Sequence, residues 1–210
     1  MSNKEIRAFA FEVRADQNEE HGHFLTGRPI VFNSKTDLGW YDEIIADGAL
    51  DGTDLRDVRF LINHNTDMIP LARSRNNTDN STMQMRIVPG EGMDIRVDLD
   101  VEGNTEAKNL YSAVSRGDLS SMSFMFVVDA DAWDDLESDH PTRTIQRIGR
   151  VFEVSAVTFP AYEQTYIQAR GLSDALESAR TSLESERAKK RAEDEERARK
   201  LKLIKIYTEV

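Results

Sequence analysis

The 210-residue chain contains no cysteine, which excludes a disulfide framework, a thiolate metal centre and a cysteine nucleophile. It has no apolar run approaching the roughly 20 residues of a membrane-crossing helix. Its opening, MSNKEIRAFAFEV, lacks the basic-then-apolar layout of a secretory leader. The expectation is a soluble, intracellular chain with no membrane partner. An excess of positive charge is missing too, with 27 basic residues against 38 acidic ones. Residues 171–210 hold 10 of the basic and 9 of the acidic residues, leaving 17 and 29 in residues 1–170, a charge of −12. A body this acidic repels phosphates, and no basic stripe with interleaved aromatics offsets it, so nucleic acid is not an expected partner. At 39% hydrophobic and 31% charged residues the composition is polar but is not that of a disordered chain.

What is present is mostly β patterning. Ile6–Arg14 alternates as one half-buried strand, and Leu25–Phe32 reads as a second, followed by a turn at Asn33–Asp37. Tyr41–Ile45 follows, then Asp47-Gly48-Ala49-Leu50, which has the makings of a short helix start. Val58–Asn65 is a strand that ends in a polar cluster. Strands around Met83–Val88 and Met93–Leu99 flank the turn Pro89-Gly90-Glu91-Gly92. Residues 104–116 change to a helical period, with Ala107, Leu110, Tyr111 and Val114 on one face and Gly117 as the stop. A strand follows at Ser121–Val128, an acidic loop at Asp129–Arg143, and a strand pair at Ile145–Ile148 and Val151–Thr158 that ends in Phe159-Pro160-Ala161-Tyr162. Beyond Gly171, Leu172, Leu176, Ala179 and Leu183 form an amphipathic stripe, and Glu184–Lys200 is a charged helix or connector. The organisation expected is a domain over 1–170 and a charged helical tail over 171–210, which either packs on the body or pairs with a second copy of the chain.

Three residues offer chemistry. His64 closes an apolar strand between Asn63 and Asn65, where a general base can work or where a structural histidine can cap. Ser123 lies in a strand whose alternation separates Met122, Phe124, Phe126 and Val128 from Ser123, Met125 and Val127. It is either a small core residue or a nucleophile in need of a base. Ser121 shares its face, and Ser120 is nearby. Glu153 is the one carboxylate in the apolar run Val151–Phe159. A buried carboxylate costs several kcal/mol unless paired, and the candidates are His64, or Arg147 and Arg150. No ligand cluster suggests a metal: His21-x-His23 stands without other nearby histidines, and Asp129, Asp131, Asp134, Asp135 and Glu137 lack calcium-loop spacing.

Taken in order, His64 in LINHN, Ser123 in GDLSSMSFMF and EVSAVTFPAY at 153–162 closely resemble the prohead proteases of tailed bacteriophages, over about Ile6 to Arg170. The resemblance implies an assemblin-related fold, a closed and mostly antiparallel β-barrel with peripheral helices in an α+β chain. It implies a serine endopeptidase that works in the host cytoplasm inside the assembling prohead and trims capsid scaffolding segments and itself. Its partners would be the major capsid protein with its scaffolding segment, the portal, and a second copy of the chain, and it would need no cofactor. Carried over, His64 is the base, Ser123 the nucleophile and Glu153 the third member. The assemblin relatives use a second histidine there, which keeps His140 as the alternative. Arg73 and Arg75 fall in the region after the family's histidine and receive no role. The competing reading is a non-catalytic assembly protein on the same fold.

Overall fold

The structure, a computed structural model, describes residues 4–9, 13–158 and 169–208. Two sheets face each other across one core. The larger contains β1 (Lys4–Phe9), β4 (Thr36–Asp37), β5 (Asp42–Ile45), β6 (Asp57–Ile62), β7 (Ala72–Arg75), β10 (Ser121–Asp134) and β11 (Thr142–Val157). The smaller, in spatial order, is β2 (Arg14–Asn18), β3 (Gly22–Val31), β9 (Gly92–Leu99) and β8 (Met83–Val88). Leu25, Ile30, Met83, Met93 and Val97 of the small sheet pack with Phe60, Phe124, Phe126, Val151 and Val154 of the large one, all fully buried.

The expected closed barrel is not formed. Closure needs every strand to have a neighbour on both sides, whereas the large sheet ends at β1, β4 and β7 and the small one at β2 and β8. Among the described residues the sheets meet through isolated bonds rather than ladders, such as Val13 N–H to Ser120 O at 3.3 Å and Thr82 N–H to Arg73 O at 3.1 Å. The large sheet is also mixed, because β11 pairs antiparallel with β10 but parallel with β5 and β6. With neighbours on both edges, β11 is buried along most of its C-terminal half, which accounts for its nearly unbroken apolar run.

Other expectations change for local reasons. The strand expected over Ile6–Arg14 is two strands in different sheets, with β1 on β10 and β2 on β3. The acidic stretch after Val128 continues β10 to Asp134, and Thr142 already starts β11. Four register shifts between Met125 and Asp131 break the two-residue period there. Residues 46–53 form successive turns instead of a helix start, and Gly48 and Gly52 sit at φ +83° and +77°, outside helical space. Phe159–Tyr162 and the side chain of Leu172 lie outside the described residues.

Two helices complete the chain. α1 (Thr105–Ser115) buries Ala107, Leu110 and Val114 and is capped by Asn104, whose side-chain oxygen accepts from the N–H groups of Glu106 and Ala107. Asn104→Ala is expected to cost about 1 kcal/mol, read from the urea midpoint at unchanged slope. α2 (Ala169–Thr208) buries Ala175, Ala179 and Leu183, the last two against Tyr41 and Trp133. Among the described residues no helix is long and apolar enough to cross a membrane.

Candidate active site

Strand β6 stops at Ile62, and Asn63 and His64 then take left-handed backbone conformations at φ +51° and +57°. Two consecutive non-glycine residues in this region are unfavourable. Several bonds to β11 and the residue after it hold them: Asn63 N–H donates to Ala156 O at 3.0 Å, and the Asn63 amide bridges the side chain and N–H of Thr158 at 3.1 and 2.9 Å. His64 N–H donates to Ser155 Oγ at 3.1 Å. The turn thereby swings the imidazole over β11.

There His64 Nδ1 lies 2.6 Å from Glu153 Oε1, with the Glu153 side chain buried and the His64 side chain nearly so. The other carboxylate oxygen, Oε2, accepts from Ser155 Oγ at 2.5 Å. An ionised carboxylate only accepts, so the bond to it places a proton on Nδ1, and in the neutral imidazole the lone pair is then on Nε2. Nε2 is buried and has no hydrogen-bond partner among the described residues. Glu153 is therefore paired with histidine rather than with Arg147 or Arg150, which lean on Asp129 and Asp54, each at 3.8 Å.

Ser123 lies directly opposite Ser155 in the β10–β11 ladder, and Met125 lies opposite Glu153. Strand alternation gives Ser121, Ser123, Ser155 and Glu153 one sheet face and leaves Met122, Phe124, Val154 and Ala156 to the core. Ser123 thus shares a face with the His64–Glu153 pair, one strand away. Its hydroxyl, fully buried, donates to Arg7 O at 2.7 Å. The structure joins His64 to Glu153 and does not join Ser123 to Nε2. Ser121 is buried opposite Val157, and Ser120 is exposed.

His140 is elsewhere. It precedes β11, whose first residue, Thr142, is already on the order of 35 Å of strand from Glu153 at about 3.3 Å per residue, and its Nε2 bonds Asp42 Oδ1 at 3.0 Å. Hydrogen bonding from His140, together with Lys35, holds the Asp42 carboxyl below its ordinary value. Asp37, Asp42 and His140 bring potential ligand atoms within 4.8 Å of one another, but the Lys35 ammonium already stands 3.1 Å from Asp42. Of the other histidines, His21 bonds Arg96 and His23 packs edge-on against Tyr111. Arg73 makes a two-bonded pair with Asp57, and Arg75 is bonded through its backbone to Ser81. Sequence reasoning missed Ser155 and the Asn63–Thr158 bridge. The spacing of Glu153 and Ser155, two apart on one strand face, is the signal that was there to be read.

A family profile for the caudovirus prohead serine proteases matches residues 9–178. The chain belongs to this family. It is a phage capsid-maturation protease, and as a prohead protease it acts on capsid proteins within the assembling capsid. Among solved structures it is similar to the bacteriophage T4 capsid assembly protease, gp21, with 13% identity and a TM-score of 0.39, over 73% of this chain and 98% of that one. No curated protein matches the protease by sequence.

Proposed function

We propose that the protease is an endopeptidase in which His64 is the general base, Ser123 the nucleophile and Glu153 the orienting carboxylate. The observation that carries the assignment is the short His64–Glu153 bond with a buried Nε2 that has no partner among the described residues, on the sheet face that bears Ser123. In the reaction, Nε2 takes the Ser123 proton as Oγ attacks the peptide carbonyl, and the imidazolium returns that proton to the departing amine. Water, deprotonated by the same nitrogen, then releases the acyl group. Ser123 has one proton to give, so attack requires its hydroxyl to turn from Arg7 O to Nε2. Glu153, not His140, is the third member. The substrates are scaffolding segments of the major capsid protein and the protease itself, with the portal as a neighbour, and the setting is the prohead in the host cytoplasm. Residues 1–170 form the proteolytic unit and 171–210 its appended helix, available to a second copy.

One observation favours the non-catalytic reading: a fully buried serine bonded to a backbone carbonyl is what a structural residue looks like. A peptidyl phosphonate, which traps nucleophilic serines, separates the two. After co-expression with the capsid protein, labelling of the purified protease followed by peptide mass mapping is expected to find the adduct on Ser123, together with trimmed capsid protein. An adduct on Ser121 would move the nucleophile two residues. Untrimmed capsid protein and no adduct would leave an assembly protein.

A further inference from the structure

Resting on the His64–Glu153 assignment above, we propose that Ser155 is a positioning residue that sets the geometry of that pair from both sides. Its side chain is fully buried. Its hydroxyl proton goes to Glu153 Oε2 at 2.5 Å, and its oxygen accepts the His64 backbone N–H at 3.1 Å.

The direction of each bond is fixed by chemistry: a carboxylate cannot donate and a backbone amide cannot accept. Ser155 therefore gives its only proton to Glu153 and a lone pair to the His64 amide. The first bond limits rotation of the carboxylate, so that Oε1 stays aimed at Nδ1. The second ties down the amide of a residue at φ +57°, a conformation that the chain holds only under constraint. One hydroxyl thus fixes acid and imidazole relative to each other. Asn63 and Thr158 secure the same turn, but neither side chain is bonded to the His64 ring or to Glu153. A hydroxyl is needed because the position demands a donor and an acceptor on one atom. Alanine offers neither, and threonine offers both.

The test uses the full-length protease and two readouts, cleavage of the capsid protein and the ¹⁵N NMR signals of the His64 ring. Ser155→Ala is expected to lower kcat by about 10- to 100-fold, the usual effect of removing a partner that orients a reacting group, with KM within twofold. The His64 signals are expected to move from a single Nδ1–H tautomer to a mixture. Ser155→Thr and Ser155→Val, alike in shape and differing in the hydroxyl, repeat the comparison at matched packing should the alanine variant fold poorly. Threonine is expected to restore the wild-type spectrum and come within about threefold of wild-type kcat, and valine is expected to do neither. Threonine and valine variants that behave alike, or a Ser155→Ala protein with an unchanged His64 spectrum, would overturn the proposal. The spectrum does not depend on turnover. A wild-type protein that fails to cut would defeat the catalytic assignment, while the ring signals would still decide the role of Ser155.

Discussion

Ser123→Ala and His64→Ala are each expected to slow cleavage of the capsid protein by about 10⁶-fold, and the double variant to be no slower than either. The reason is that nucleophile and base act as one unit: without the base the hydroxyl keeps its proton, and without the hydroxyl the base has nothing to activate. Glu153→Gln is expected to cost somewhat less, roughly 10⁴-fold. Its amide can donate to Nδ1, which would leave the proton on Nε2 and remove the lone pair that must receive the Ser123 proton. Ser123→Ala removes a single bond to Arg7 O and should stay fully folded. His64→Ala strands a buried carboxylate on the Ser155 hydroxyl alone, so it should lose about 1–3 kcal/mol of stability as well. Rates must therefore be compared per folded molecule, with circular dichroism alongside cleavage progress curves. A Ser123→Ala protein cutting within tenfold of wild type would remove Ser123 from the mechanism.

How much of this was legible in the sequence depended on the range of the contacts. The burial of Glu153 could be read from its apolar neighbours, because strand composition is a local property. Its partner could not, because the choice between His64 and Arg147 or Arg150 is made by β6 lying parallel beside β11, with Ile62 opposite Ala156. That pairing spans some ninety residues and leaves no local trace. The helix at Thr105–Ser115 was readable from its period and from Gly117 as its stop. The end of β10 was not, because Asp131 and Asp134 look like loop residues until Arg143 and α2 are seen to satisfy Asp131. The barrel failed for a related reason. Alternation identifies strands and their faces, but not whether the last strand of a sheet finds the first.

Arg143→Met is expected to destabilise the fold by about 3–5 kcal/mol, because it leaves buried carboxylates undercompensated. Arg143 bonds Glu5 at 2.9 and 3.1 Å, Glu43 at 3.2 Å and Asp131 at 2.7 Å, while Arg7 binds Glu5 at 2.6 Å and grips Glu43 with two nitrogens. Four of these five side chains are almost fully buried. Helix α2 closes the network, with Ser178 donating to Glu5 and Ser182 to Asp131, and Trp133 Nε1–H donating to Ser182. For a domain of this size the cost amounts to roughly 6–20 °C in Tm. Both tryptophans of the chain, Trp40 and Trp133, stack 5.9 Å apart at this junction, so a red shift of fluorescence should report the undocking of α2. Arg143→Met combined with Glu43→Leu keeps the charges balanced and is expected to lose less than the single variant. A double variant that loses more would mean that packing, not uncompensated charge, sets the cost. The pH dependence has a definite sign. Burial pushes the Glu5 carboxyl up, but Arg7 and Arg143 outweigh it and hold it below its ordinary value. The unfolded chain then takes up that proton first, so the contribution of Glu5 is complete above the ordinary carboxylate range and is lost as pH falls through the lowered value. With Arg143 gone, one of its two cations is missing, and the acid limb of the stability curve should move to higher pH.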